Sequence, residues 1–135
     1  MSLESWKDEF YPISAHECNN YGAASVGELL EHSILKWTGA RQTNLKRHGL
    51  RRTIGTGIAA HGAVFQNFMF GKQSCALCQR FYESGCHGCP LRNKLGRACY
   101  ADGRGYNLFS KGESPGVLLR ELRAALRKWR KENGK

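Results

Sequence analysis

The sequence predicts a mainly α protein, with a small α+β arrangement as the alternative, in which two amphipathic helices surround a zinc-stapled loop region. Two observations lead to this fold class. Residues 25–38 and 114–132 carry apolar side chains at helical spacing, and five of the six cysteines lie between residues 75 and 99. The chain has 135 residues, a length typical of one domain, so we expect residues 1–135 to form a single domain.

Local signals mark both ends of the first helix, 25–38. Ser25 and Glu28 have the S-x-x-E spacing of a capping box, which satisfies two backbone amides at a helix start. Gly39 follows the last apolar residue, as expected after a helix end. In the second helix, 114–132, we expect Ser114 to be the N-cap and Pro115 the first helical residue.

The other segments are less regular. Residues 1–24 lack a clear period, and we expect an irregular N-terminal arm that packs its aromatic side chains against the rest. Residues 43–49 read as one or two helical turns ended by Gly49, whereas 53–71 fit either short strands or one buried helix. No apolar run approaches the roughly 18 residues of a membrane span, and the N-terminus does not resemble a secretory signal peptide.

The cysteine segment, 72–105, carries the strongest motif. Its spacing is C-x2-C-x7-C-x2-C-x9-C, and two such C-x2-C pairs are typical of a structural zinc site with thiolate ligands about 2.3 Å from the metal. The segment has few aliphatic residues, so we expect the metal to supply its folding energy. The simplest ligand set is Cys75, Cys78, Cys86 and Cys89.

Several alternatives remain open for this segment. Cys99 or His87 could replace one of the four ligands, and an iron–sulfur cluster, disulfides or an open catalytic zinc site are the other chemistries. The deaminase pattern H-x-E with P-C-x-x-C and the protease pattern H-E-x-x-H are both absent from the sequence. We therefore expect a non-enzymatic protein, with Cys18 as a small buried residue outside the centre.

The formal net charge of +10 is unevenly distributed. Residues 1–35 hold one basic and six acidic side chains, whereas 36–135 hold twenty basic and five acidic ones. Such a field attracts polyanions, and Arg and Lys are the usual phosphate contacts. The residues predicted to bind an anionic partner are Arg41, Lys46, Arg47, Arg51, Arg52, Arg92, Lys94, Arg97, Arg120, Arg123, Arg127 and Arg130.

Several runs together resemble a group of small cysteine-rich proteins of tailed bacteriophages and prophages, most of which have no assigned function. The resemblance spans roughly residues 28–132. Its runs are 33–37, 44–49, 74–78 (S-C-A-L-C) and 86–91 (C-H-G-C-P-L), with Gly96 and Cys99. The chain departs from the group in segment 100–113 and in its positive charge. The resemblance implies phage origin, a metal-type cysteine cluster and no established reaction.

By analogy with small phage proteins, we expect a host partner in the bacterial cytoplasm. That partner would be nucleic acid or a nucleic-acid-handling or defence protein complex.

Overall fold

The structure is a computed structural model that describes residues 3–20, 23–53, 56–60, 68–70, 74–81, 89–91 and 103–134. The described elements are, in chain order, α1 (Leu3–Phe10), α2 (Ala15–Asn19), α3 (Val26–Gly39), α4 (Gln42–Arg47), β1 (Leu50–Arg52), β2 (Gly57–Ala60), β3 (Phe68–Met69), α5 (Ala76–Phe81), α6 (Gly105–Ser110) and α7 (Gly116–Glu132). The prediction of a mainly α protein with a small sheet is confirmed.

Helix α3 forms as its sequence predicts. The Ser25 hydroxyl accepts from the Glu28 amide at 3.2 Å, and the Glu28 carboxylate accepts from the Ser25 amide at 3.3 Å. Leu29 and Leu30 are fully buried on the inner face of the helix. After the short helix α4, Gly49 adopts a positive φ of 71°, which favours glycine and turns the chain into β1.

Helix α7 begins one residue later than expected. Pro115 is the N-cap, and Ser114 accepts only a long 3.4 Å bond from the Gly116 amide. The inner face of α7 consists of buried leucines and packs against α3, so the two predicted amphipathic helices contact each other.

Two glycines of α3 allow close helix contacts. A Cβ atom on Gly27 would lie 2.5 Å from Cζ3 of Trp129 in α7, and one on Gly39 would lie 2.5 Å from Cγ of Phe10 in α1. Since real Cβ contacts are longer, only glycine lets these two rings approach the α3 backbone so closely.

The expected irregular N-terminal arm instead contains helices α1 and α2. Trp6 and Phe10, one turn apart in α1, are both buried, so the helix has an apolar face that its short length concealed. Helix α2 begins with a second capping box, in which Ser14 and Glu17 bond each other's amides. The aromatic packing expected of this segment is present, because the Tyr11 and Phe68 rings lie 5.0 Å apart.

In the region 53–71, which fitted strands or a buried helix, the described residues form strands β2 and β3, which join β1 in a small antiparallel sheet of order β1-β2-β3. Arg52 of β1 pairs with Ile58 of β2, which pairs with Phe68 of β3. Ile58 is fully buried, and Phe68 contacts the Trp6 ring at a centroid distance of 5.1 Å. The sheet is thereby joined to the aromatic core.

The described buried side chains form one hydrophobic cluster. At its centre the Trp37 ring lies 4.9 Å from Phe70 and 4.8 Å from Phe109, distances typical of favourable aromatic pairs. None of the described helices has the length and hydropathy needed to cross a membrane.

Candidate functional site

The first C-x2-C pair lies at the start of α5. Cys75 immediately precedes the helix, and its sulfur accepts from the Cys78 amide at 3.4 Å. Amide-to-sulfur bonds of this kind stabilise a thiolate and orient it for a metal. Both cysteines are half-buried and neither forms a disulfide.

The surroundings of Cys75 favour its thiolate. The pKa of Cys75 is lowered from an ordinary value of 9.0 to about 6, and a hydrogen bond from the Cys78 side chain is the largest cause. Burial acts in the opposite direction, while the Lys36 ammonium and the amides of Cys78 and Leu77 lower the pKa further. Metals bind the thiolate form of cysteine, and a lowered pKa makes Cys75 a thiolate near neutral pH.

Lys36, on the inner face of α3, is completely buried. Its ammonium donates to the Ser74 carbonyl at 3.0 Å and to the Ser74 hydroxyl at 3.4 Å. It also lies 5.0 Å from the Trp37 ring centroid and 5.8 Å from that of Phe70. The core therefore holds a positive charge beside the residue that precedes Cys75.

The structure tests only part of the predicted ligand set. Cys89 is half-buried against the core, whereas Cys86, Cys99 and His87 lie outside the described residues. Within the described ranges, no three His, Cys, Asp or Glu side chains are grouped closely enough to hold a metal. The four-ligand zinc site stays a prediction.

Cys18, expected to be buried, is half-buried on α2. Its sulfur lies 3.8 Å from the Glu28 carbonyl oxygen, and burial raises the pKa of its thiol. Because α2 packs against α5, Cys18 lies on the helix next to the one that carries Cys78.

A surface cavity of about 480 Å³ separates α4 and β1 from the turn before α7. Its wall contains three cationic residues, Lys46, Arg51 and Arg52. None of its described lining residues is acidic. The rest of the wall comes from Ala40, Gln42, Leu45, Leu50, Gly112, Ser114 and Pro115. Arg41, the N-cap of α4, adjoins this wall and is exposed.

Among the predicted binding arginines that the structure describes, Arg47, Arg52 and Arg130 have the following contacts within the chain. Arg47 forms a two-pronged ion pair with Glu9 at 2.7 and 2.8 Å. Arg130 pairs with Glu31 at 2.9 Å.

The third, Arg52, donates to the carbonyl oxygens of Phe109 and Glu113. Its guanidinium carbon lies 3.7 Å from the Phe109 ring centroid, and burial lowers its pKa. The Arg52 guanidinium therefore connects β1 to the end of α6, and Arg52 also lines the cavity.

The other arginines of α7 form an exposed cationic stripe, which we define as Arg120, Arg123 and Arg127. Successive α-helical residues turn by about 100°, so these three lie on one side of α7, away from its buried leucines. Arg120 reaches back toward the cavity, because its Nη1 atom would lie 3.9 Å from a Cβ on Gly116. Gly116 follows Pro115 of the cavity wall, so Arg120, the first residue of the stripe, lies near the cavity. Arg92, Lys94 and Arg97 lie outside the described residues.

One hydrogen-bonded chain joins residues that no local pattern connects. His48, almost fully buried, lies 2.8 Å from the Ser5 hydroxyl through Nδ1 and 2.8 Å from the Glu9 carboxylate through Nε2. Arg47 also forms an ion pair with the Glu9 carboxylate. These hydrogen bonds and the ion pair connect α1 to the end of α4. The separation of about forty residues explains why the sequence alone gave no sign of it.

Comparison of the chain with protein-family models, with curated proteins and with solved structures finds no match.

Proposed function

We propose that this chain is a metal-stabilised, non-enzymatic binding protein whose cationic surface contacts an anionic partner. The observation that carries the proposal is the cavity lined by Lys46, Arg51 and Arg52, near which Arg120 begins the arginine stripe of α7. Cations around a concave surface attract and hold phosphate groups. The surface combines a recess with a row of arginines along α7. Such a row suits a partner with several successive phosphates better than one isolated ion.

The proposed partner is nucleic acid in the cytoplasm of a bacterial host. The resemblance to small phage proteins supports a host partner, and the positive charge supports a polyanion. A nucleic-acid-handling or defence complex with an acidic surface is the second version of the same proposal. These two versions differ in their response to naked nucleic acid.

The proposed metal is zinc, held by Cys75, Cys78, Cys86 and Cys89. Its support is the Cys75–Cys78 pair, whose amide-to-sulfur bond and ionisable Cys75 thiol suit a zinc ligand. Zinc would order the loops and take no part in a reaction.

Fluorescence anisotropy with labelled single-stranded DNA, duplex DNA and RNA tests the surface. At about 50 mM salt, where phosphate contacts are strongest, we expect binding that weakens steeply as salt is added. Arg127→Gln should weaken binding and reduce the salt slope by about 1. The matched control Lys128→Gln removes the same charge from the next residue of α7, outside the stripe, and should leave the slope unchanged.

Absence of binding to all three nucleic acids at this salt would reject the nucleic-acid version. Mass spectrometry of host proteins that copurify with the wild type, but not with a Lys46→Gln/Arg51→Gln/Arg127→Gln variant, would then test the acidic-protein version. If the same host proteins copurify with the wild type and with this variant, the cationic surface is not the binding site.

A second candidate uses the same thiolates differently. The lowered Cys75 pKa also suits an iron–sulfur or open-site zinc protein with redox or hydrolytic activity. Metal analysis of anaerobically purified protein separates the two, because iron with visible absorbance would replace the structural zinc proposal.

A further inference from the structure

We propose that the surface cavity beside α4 and β1 binds one nucleotide, with the phosphate at its cationic rim and the base on its apolar floor. The inference rests on the cationic surface of the proposed function, and it gives the cavity a task different from that of the arginine stripe. A strand end that carries a phosphate and a free nucleoside monophosphate present the same chemistry to the cavity.

The cavity has the size of a small-molecule site. Its volume is about 480 Å³, and pockets that hold a small molecule typically measure roughly 300–1,000 Å³. A lone phosphate ion would leave most of this space to water. A ligand that fills the cavity therefore carries more than its phosphate.

The floor of the cavity is apolar. Ala40, Leu45 and Leu50 line it although each is only 1–2% exposed, so these side chains lie at the bottom of the recess. Pro115, which is also buried, adds to the apolar wall. An uncharged, flat group gains most at this floor, because it removes apolar surface from water.

The rim of the cavity is cationic. Lys46 and Arg51 are exposed, so their charged groups lie toward the mouth of the cavity that they line. The Arg52 guanidinium is held in the wall by its hydrogen bond to the Phe109 carbonyl and its stacking on the Phe109 ring. A cationic rim above an apolar floor fits a ligand whose uncharged part enters first and whose phosphate stays near the solvent.

Two neutral polar side chains, Gln42 and Ser114, complete the wall and are exposed. The amide and the hydroxyl each donate and accept hydrogen bonds. They can therefore bond the polar edge of a nucleobase while its face packs on the floor, whereas a hydrocarbon chain offers them no partner. The combination of flat face, polar edge and phosphate is that of a nucleotide.

Isothermal titration calorimetry with nucleoside 5′-monophosphates at about 50 mM salt tests the site. Inorganic phosphate and ribose 5-phosphate lack the base, and phenyl phosphate lacks its hydrogen-bonding edge. We expect each of these three probes to bind about 10-fold more weakly than the tightest monophosphate, because the apolar contact or the edge bonds are lost.

Two variants locate the binding. Lys46→Gln should weaken monophosphate binding about 10-fold, the effect of losing one charge-assisted hydrogen bond. Gln42→Ala should weaken monophosphates but not ribose 5-phosphate, since the Gln42 amide contacts the base. Lys128→Gln is the matched control, because it removes one charge from an exposed residue of α7 that is not among the described residues of the cavity wall. Circular dichroism checks that each variant is folded.

Anisotropy with one labelled oligonucleotide, with and without a 5′-phosphate, identifies the source of the nucleotide. Tighter binding of the phosphorylated strand by the wild type, but not by Lys46→Gln, assigns the cavity to a strand end, whose next phosphates would approach Arg120. Equal binding of the two strands, together with binding of the monophosphates, assigns it to a free nucleotide.

Wild-type affinity in both Lys46→Gln and Gln42→Ala would overturn the site, as would inorganic or phenyl phosphate that binds as tightly as the monophosphates. If oligonucleotides bind but no monophosphate does, the nucleotide site is rejected and the proposed function stands. If monophosphates bind but oligonucleotides do not, the site stands and the nucleic-acid version of the proposed function is rejected.

Discussion

The Trp6 indole donates a 2.9 Å hydrogen bond to the carbonyl oxygen of Gly39, the last residue of α3. Phe10 packs on the Cα of the same glycine, so one position of α3 receives both large side chains of α1. This contact fixes the N-terminal helix on the core.

Gly39→Ala is expected to destabilise the protein. The new methyl group would lie 2.5 Å from Phe10 Cγ, and relieving such overpacking costs about 1–3 kcal/mol. Urea unfolding followed by tryptophan fluorescence measures the change. Gly116→Ala is the control, since its Cβ would come no closer than 3.4 Å to another side chain. Equal midpoints for Gly39→Ala and the wild type would contradict the contact.

The ion pair between Glu9 and Arg47 predicts a pH dependence. Hydrogen bonds from Arg47 and then His48 lower the pKa of Glu9 from 4.5 to about 2. A lowered folded-state pKa means that the carboxylate stabilises the fold fully above pH 4.5, and that this contribution is lost as the pH falls toward 2. The wild type should therefore have a higher Tm than Glu9→Gln above pH 4.5, and this difference should shrink as the pH falls from 4.5 toward 2.

Thermal unfolding of both proteins at a series of pH values measures that difference. Glu132→Gln serves as a control, because it removes a carboxylate whose ion-pair contact with Lys128 is 4.0 Å. A constant difference in Tm between wild type and Glu9→Gln from pH 7 to pH 2 would show that the carboxylate has no such role.

Arg52 should be more important for stability than the arginines of the stripe. Arg52→Met loses two hydrogen bonds to carbonyl oxygens and the stacking on Phe109, which together contribute about 2 kcal/mol. Arg52→Lys should rescue little, because a lysine lacks the planar fork. Chemical denaturation tests both, with exposed Arg123→Met expected to match the wild type. Equal losses for Arg52→Met and Arg123→Met would refute the structural role.

Removal of the proposed zinc is expected to release the cysteine segment. Because zinc supplies much of the folding energy of small cysteine-rich segments, chelation, Cys75→Ser or Cys89→Ser should expose residues 72–105 to proteases. Limited proteolysis with mass spectrometry locates the cuts. Cys18→Ser is the control, since a serine can keep the contact with the Glu28 carbonyl. Unchanged protease resistance of Cys75→Ser would count against a structural metal.

Signals close together in sequence predicted the two long helices and the turns near α4, whereas α1, α2, α5 and α6 were not predicted. The Ser25–Glu28 box and the leucines of α7 identified both long helices, and the Ser14–Glu17 box would have identified α2 in the same way. Helix α1 was missed because eight residues give too few turns for a period to stand out.

Contacts between distant residues could not be predicted. Lys36 reads as a surface charge in the sequence, and its acceptor, Ser74, is 38 residues away. Nor does the sequence distinguish Arg52, which donates to the Phe109 carbonyl in α6, from Arg51, which is exposed. Charge patterns predict that a cationic surface exists, whereas packing decides which cations form it.

Helix α3 contacts a ring at each end, Trp129 over Gly27 and Phe10 over Gly39, and carries Lys36 between them. With both ends held by backbone-to-ring contacts, α3 cannot slide along its axis without a clash at one end. Close-packed interiors transmit such displacements to their neighbours. A shift of α3 would therefore disturb both the Lys36 hydrogen bond to Ser74 and the packing of α7.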